Sequence, residues 1–171
     1  ESPASVSSAA AALAAQVFGK LTGRRVLLVG AGRIGELAAS NLASRGAEIA
    51  YVANRTSETA AELAHRFGGR ALALEEIAAA LVDVDVVVSS TSAPDVVLHA
   101  DQVPARHRTP LFFIDIAVPR DLDPGISRLD GCFLYDIDDL EAVVAEALAG
   151  RRAEAERAEQ LVAEEAARFR S

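Results

Sequence analysis

The stretch VLLVGAGRIG, residues 26–35, constrains the fold more than any other part of the chain. Its apolar start, with β-branched Val26 and Val29, reads as a buried strand. Residues 34–45 then show helical spacing, with Ile34, Leu37, Ala38 and Leu42 on one side and Gly46 as the stop. Between strand and helix, Gly30, Gly32 and Gly35 form G-x-G-x-x-G. Gly30 is expected to permit the tight turn. Gly32 is expected to let a pyrophosphate approach the backbone, and Gly35 to let helix and strand pack closely. The first-turn amides, those of Arg33 and Ile34 among them, and the positive end of the helix then face the anion. The expected ligand is a dinucleotide; the alternative is a tight glycine turn with no ligand.

The second strand, EIAYVAN, places Asn54, Arg55 and Thr56 at its tip. NAD sites hold a carboxylate there for the ribose 2′-hydroxyl, and a carboxylate would repel a 2′-phosphate. Arg55 offers the opposite, a charge-assisted contact to phosphate, with Asn54 and Thr56 as neutral donors. The cofactor expected is therefore NADPH; the alternative is that Arg55 is a surface arginine. Ser89, Ser90 and Thr91 follow the cleanest strand of the chain and are expected on the same edge, near ribose or pyrophosphate, or else as local caps of a turn. Residues 115–120 leave the next strand on that edge, with Pro119 stiffening the loop and Asp115 either holding it or touching substrate.

The remaining elements follow the same alternation. An opening helix runs to Phe18, capped by Ser5 or Ser7 and stopped by Gly19. Thr56 or Ser57 caps a helix that places Leu63 and Phe67 together. Residues 71–76 read as a weak edge strand or a loop, and a short helix follows through Leu81. Residues 84–90, 110–118 and 131–136 are strands, and Asp136 or Asp138 caps the last helix. Strands alternating with helices predict an α/β, Rossmann-like, doubly wound and mostly parallel sheet with helices on both faces. Residues 1–137 are expected to form this domain with its lead-in helix. Residues 138–171 are expected to form a long charged helix, passing Gly150, with Leu161, Val162 and Phe169 as sparse apolar positions wanting a partner; a solvated tail is the alternative.

The formal net charge of -8 disfavours a general nucleic-acid surface. One cysteine excludes an intrachain disulfide and suits a reducing, cytoplasmic setting. No apolar run is long enough to span a membrane, and the chain, which has no methionine, is expected to be a piece of a longer product. No substrate site can be built. His65, His99 and His107 have no acid partner at a supporting spacing, Cys132 reads as a small buried hydrophobe, and no metal-ligand spacing occurs. No catalytic residue is expected within the chain.

GAGRIGELAASNL, VANRT, SSTSAP, FFIDIAVPRDLDP and FLYDIDDL together resemble the NADPH-binding domain of glutamyl-tRNA reductases, nearly end to end. The resemblance implies a parent enzyme that reduces glutamyl-tRNA to glutamate-1-semialdehyde, the first committed step of five-carbon tetrapyrrole synthesis. It implies a separate catalytic domain whose cysteine forms a thioester, a V-shaped homodimer joined by a C-terminal helical domain, and hand-over to an aminomutase. Glutamyl-tRNA would be met through parts outside this chain. The piece itself is expected to be inactive and monomeric. Cys132 does not match the catalytic cysteine. Gly30, Gly32, Gly35, Asn54, Arg55, Thr56 and Ser89 to Thr91 match the cofactor site, and Ile34 stands where many relatives carry methionine. A shikimate-dehydrogenase-like domain shares the Asn-Arg-Thr tip but fits IAVPRDLDP poorly. A non-catalytic NADPH-binding module is the other competing reading.

Overall fold

The structure, a computed structural model, describes residues 2–105 and 109–170, the side chains of 169 and 170 excepted. In chain order the elements are α1 (Pro3–Phe18), β1 (Arg25–Val29), α2 (Arg33–Ser44), β2 (Glu48–Ala53), α3 (Ser57–Phe67), β3 (Arg70–Leu72), α4 (Ile77–Ala80), β4 (Val86–Ser89), β5 (Leu111–Asp115), β6 (Cys132–Asp136) and α5 (Ile137–Arg170), with short 3₁₀ turns between several of them. The strands form one sheet in the order β3-β2-β1-β4-β5-β6. Every pairing in it is parallel. The order reverses between β1 and β4, and in open sheets of this kind the crevice outside the strand ends at that reversal is where ligands bind.

Both faces of the sheet are covered, which is why its strands read as near-continuous apolar runs. On one face Val26, Leu28, Val86, Val88, Phe112 and Ile114 pack with Ala10 and Ala14 of α1, Leu42 of α2, Leu63 of α3, and Leu140 and Val144 of α5. On the other, Leu27, Val29, Val87, Leu111 and Phe113 pack with Ile77, Leu81, Leu98, Leu122 and Ile126. That second layer is made of short helical pieces and loops. The first holds all the long helices.

The structure corrects the cap of α1 and decides between alternatives that the sequence left open elsewhere. The cap of α1 is Ser2, whose side chain accepts from the Ser5 amide at 3.2 Å. Ser7 instead is buried, donates to the Ala4 carbonyl and accepts from Asn41 of α2. Residues 71–76 divide into the end of edge strand β3 and a 3₁₀ turn. At α5 the cap is Asp136, in a reciprocal pair: its carboxylate accepts from the Asp139 amide at 2.9 Å, and its own amide donates to Asp139 at 3.0 Å. Asp138 pairs with Arg120. The helix runs through Gly150 without a break, and residues 145–168 are all exposed, Leu161 and Val162 included. Among the described residues no helix is long and apolar enough to cross a membrane.

Candidate functional site

Three loops meet at the β1/β4 reversal. The glycine turn leaves β1, residues 54–59 leave β2, and residues 90–93 leave β4. Between them lies a cleft of about 510 Å³ lined by Ala31, Gly32, Asn54, Arg55, Thr56, Thr59, Leu74, Ser90, Thr91, Ser92 and Ala93. Of the residues the sequence nominated, Gly32, Asn54, Arg55, Thr56, Ser90 and Thr91 line the cleft; Ala31, Thr59, Leu74, Ser92 and Ala93 were not nominated. Thr59 lies in the first turn of α3, three residues from Thr56, and Leu74 lies beyond β3, where only the folded chain brings it in.

The glycines are explained by one neighbour, Ser90. Gly30 has φ +88°, and a Cβ there would stand 2.8 Å from the backbone of Ser90 and Thr91. A Cβ on Gly32 would meet the Ser90 carbonyl at 2.7 Å, and one on Gly35 would overlap the Ser90 hydroxyl and approach its Cβ to 2.7 Å. The bare backbone expected at Gly32 for a pyrophosphate thus admits the β4 tip first. Gly35 serves close packing as expected, with Leu28 as a further neighbour at 3.6 Å. The Ser90 hydroxyl is buried and has no hydrogen-bond partner among the described residues. Helix geometry leaves the amides of Arg33, Ile34 and Gly35 without intrahelical acceptors. Ile34 packs its side chain on the core, and Arg33 is exposed.

At the tip of β2, Arg55 is exposed and makes no ion pair or hydrogen bond among the described residues. Thr56 occupies the N-cap position of α3, yet its hydroxyl makes no capping bond. A free guanidinium and an uncommitted hydroxyl therefore border the cleft, with no carboxylate among its lining residues. This donor set suits an anionic group such as a phosphate. The orphaned Ser90 hydroxyl and the free amides of α2 add donors at the glycine turn.

Ser89 does not face the cleft. It is fully buried, and its hydroxyl donates to Asp121 at 2.7 Å. Thr91 turns its hydroxyl to the same carboxylate, so its side chain anchors the turn from behind. Asp115 holds a loop: it is 1% exposed and accepts from the amides of Ala117, Asp121 and Leu122. Burial pushes its carboxyl above the ordinary value, partly offset by those amides. Asp121 was missed, because an aspartate in a PRDLDP loop reads as solvated until the fold buries it.

His65 and His99 are exposed, and His107 lies outside the described residues. The fold does bring His99 near Asp123, whose carboxyl is held below its ordinary value by the Ala100 and Gly125 amides first and by His99 less. Cys132 is half-buried at the start of β6. Parallel strands put that start on the sheet edge opposite the cleft, roughly 13 Å down the strand.

Residues 12–143 match the family described as shikimate / quinate 5-dehydrogenase. Along 98% of its length the chain is also 52% identical to the glutamyl-tRNA reductase of Solidesulfovibrio magneticus, covering 38% of that protein. The chain belongs to the shikimate / quinate 5-dehydrogenase family and sides within it with the glutamyl-tRNA reductases. The solved glutamyl-tRNA reductase of Methanopyrus kandleri superposes with TM-score 0.82 at 41% identity, over 93% of this chain and 41% of that one. The shikimate 5-dehydrogenase of Thermus thermophilus, solved with NADP(H) and shikimate, reaches only TM-score 0.56 at 26% identity, over 85% of this chain and 55% of that one. The family name is that of the weaker resemblance drawn from the sequence; identity along the chain favours the stronger one. The chain spans about two-fifths of the length of the curated reductases it matches. Fold and family together support an NADPH-binding role.

Proposed function

We propose that this chain is the NADPH-holding domain of an enzyme that reduces glutamyl-tRNA to glutamate-1-semialdehyde, for tetrapyrrole synthesis. NADPH supplies the hydride in such a reduction. The chain's own residues bind and orient it. The amides of Arg33, Ile34 and Gly35 receive the pyrophosphate beside Gly32 and Ser90, and Arg55, Asn54 and Thr56 receive the 2′-phosphate. Thr91 is part of the wall that would face the nucleotide, with its hydroxyl turned away to Asp121. Cleavage of the glutamyl ester belongs to other parts of the longer protein, since Cys132 stands at the wrong sheet edge. Contact with tRNA, the homodimer built beyond residues 138–171, the aminomutase partner and a cytoplasmic setting are parts of the same proposal; alone, the chain is inactive and monomeric.

One observation carries the choice of cofactor: at the β2 tip an unpaired arginine stands where a carboxylate would select NAD. Losing a charged phosphate contact costs about 1.5–3 kcal/mol. Arg55→Ala should therefore weaken NADPH binding about ten-fold or more in a calorimetric titration and leave NADH binding unchanged. Equal affinity of the unsubstituted chain for the two nucleotides would overturn the role of Arg55.

A further inference from the structure

The wall of the cleft that carries residues 90–93 has a buried carboxylate behind it, in addition to the bond that the Ser90 amide donates to the Val29 carbonyl at 2.8 Å. Asp121 is 0% exposed and lies 30 residues from Thr91 in the chain. One of its oxygens accepts from the Ser89 hydroxyl and from the Thr91 amide, both at 2.7 Å. Its other oxygen accepts from the Thr91 hydroxyl. The Thr91 oxygen accepts in turn from the Ala93 amide at 3.1 Å. Asp121 is itself tied into the loop it belongs to: its carbonyl accepts from the Val97 amide at 2.6 Å, and its amide donates to Asp115 at 3.3 Å.

No cation pairs with Asp121 among the described residues, and the donors named compensate a carboxylate removed from water. A buried carboxylate so placed is costly to hold unless its partners stay fixed, and its partners are the residues of the turn. The same turn presents Ser90 to the glycines. The Ser90 carbonyl, Cβ and hydroxyl occupy the space that Cβ atoms on Gly30, Gly32 and Gly35 would take. The chain of contacts runs from Asp121 through Ser89 and Thr91 to Ser90, and from Ser90 to the start of α2.

We propose that Asp121 is the positioning residue of this cleft: by gripping Ser89 and Thr91 it sets the height of the 90–93 turn against the glycine turn, and with it the affinity for nucleotide. Asp121 touches no ligand and acts only through the turn. The inference rests on the reading of the cleft as an NADPH site. Because the turn borders the part that NADPH and NADH share, its displacement weakens both alike. Arg55 acts on the 2′-phosphate alone.

The test titrates the chain with NADPH and with NADH by nucleotide fluorescence. The proteins compared are the unsubstituted chain, Asp121→Asn, Thr91→Val and Thr91→Ser, each checked by circular dichroism and thermal melting. Asp121→Asn and Thr91→Val should raise the Kd of both nucleotides by a common factor, on the order of ten-fold. Thr91→Ser keeps the hydroxyl and should stay near the unsubstituted value. If Asp121→Asn does not fold, Thr91→Val decides, because it leaves Asp121 its bonds to Ser89 and to the Thr91 amide. Lower melting temperatures with unchanged Kd in the folded variants would overturn the proposal and leave Asp121 a structural tie. Absence of NADPH binding by the unsubstituted chain would overturn the cofactor reading itself, and with it this role, before any variant is compared.

Discussion

At the scale of single residues, the glycine turn is built around a serine. Gly30, Gly32 and Gly35 were legible as a strand-to-helix turn from their spacing between an apolar strand and a helix, since that spacing meets the local needs of such a turn. Ser90 was expected on the same edge, but its packing against the three glycines was not legible, because it comes from β4 lying beside β1. Adding a Cβ at Gly35 forces Ser90 and α2 apart. Gly35→Ala should destabilise the chain by about 1–3 kcal/mol, as overpacking does. Ser90→Gly in the same chain removes the obstructing atoms and should recover most of that loss. Urea unfolding of both singles and the double gives the coupling; additive effects would separate Gly35 from Ser90.

At the scale of elements, α5 begins with an aspartate whose charge is used several times. Burial alone would raise the Asp136 carboxyl, but the Asp139 amide and Arg120 hold it below its ordinary value. Arg120, in the loop after β5, pairs with Asp136 and Asp138, so the start of α5 is tied to the strand edge that carries the cleft. Asp136→Ala should cost about 0.5–2 kcal/mol at neutral pH. The folded carboxyl titrates below the unfolded one, so its contribution is complete above about pH 4 and fades as pH falls through the folded value. The difference between the chain and its variant should therefore shrink in acid. A difference that grows below about pH 4 in denaturant titrations would contradict the cap. The cap was foreseen as Asp136 or Asp138; hydrogen-bond geometry and Arg120, which arrives from another loop, divide the work between them. The first turns of α5 belong to the core through Leu140 and Val144, and its later exposed turns carry Leu161 and Val162 into solvent.

For the whole molecule, the cleft draws on β1, β2 and β4 at once, so a nucleotide seated there joins both halves of the sheet. Ligand bound only to the folded state at a hundred times its Kd adds about 2.7 kcal/mol. In a chain of this size NADPH at that level should raise the melting temperature by roughly 5–10 °C. NADH at equal concentration should raise it less, by the affinity that Arg55 withholds. Calorimetric scans with each nucleotide check this, and no shift with NADPH would count against the cleft as its site.

The sequence by itself determined the alternation of strands and helices, the parallel sheet, the glycine turn and the arginine tip. These depend on periodicity, backbone freedom and charge over short stretches, which are local properties. Tertiary structure alone decided that Ser89 turns inward, that Asp121 grips the 90–93 turn, that Asp115 ties its own loop, and that Thr59 and Leu74 complete the cleft. The grip of Asp121 on Ser89 and Thr91, and the arrival of Leu74, need strand ends brought side by side from distant parts of the chain, whereas Asp115 and Thr59 act within their own loop and helix once the fold has set where these lie. Burial then turns an ordinary loop aspartate into a fixed anchor, because a carboxylate removed from water must keep every donor it has.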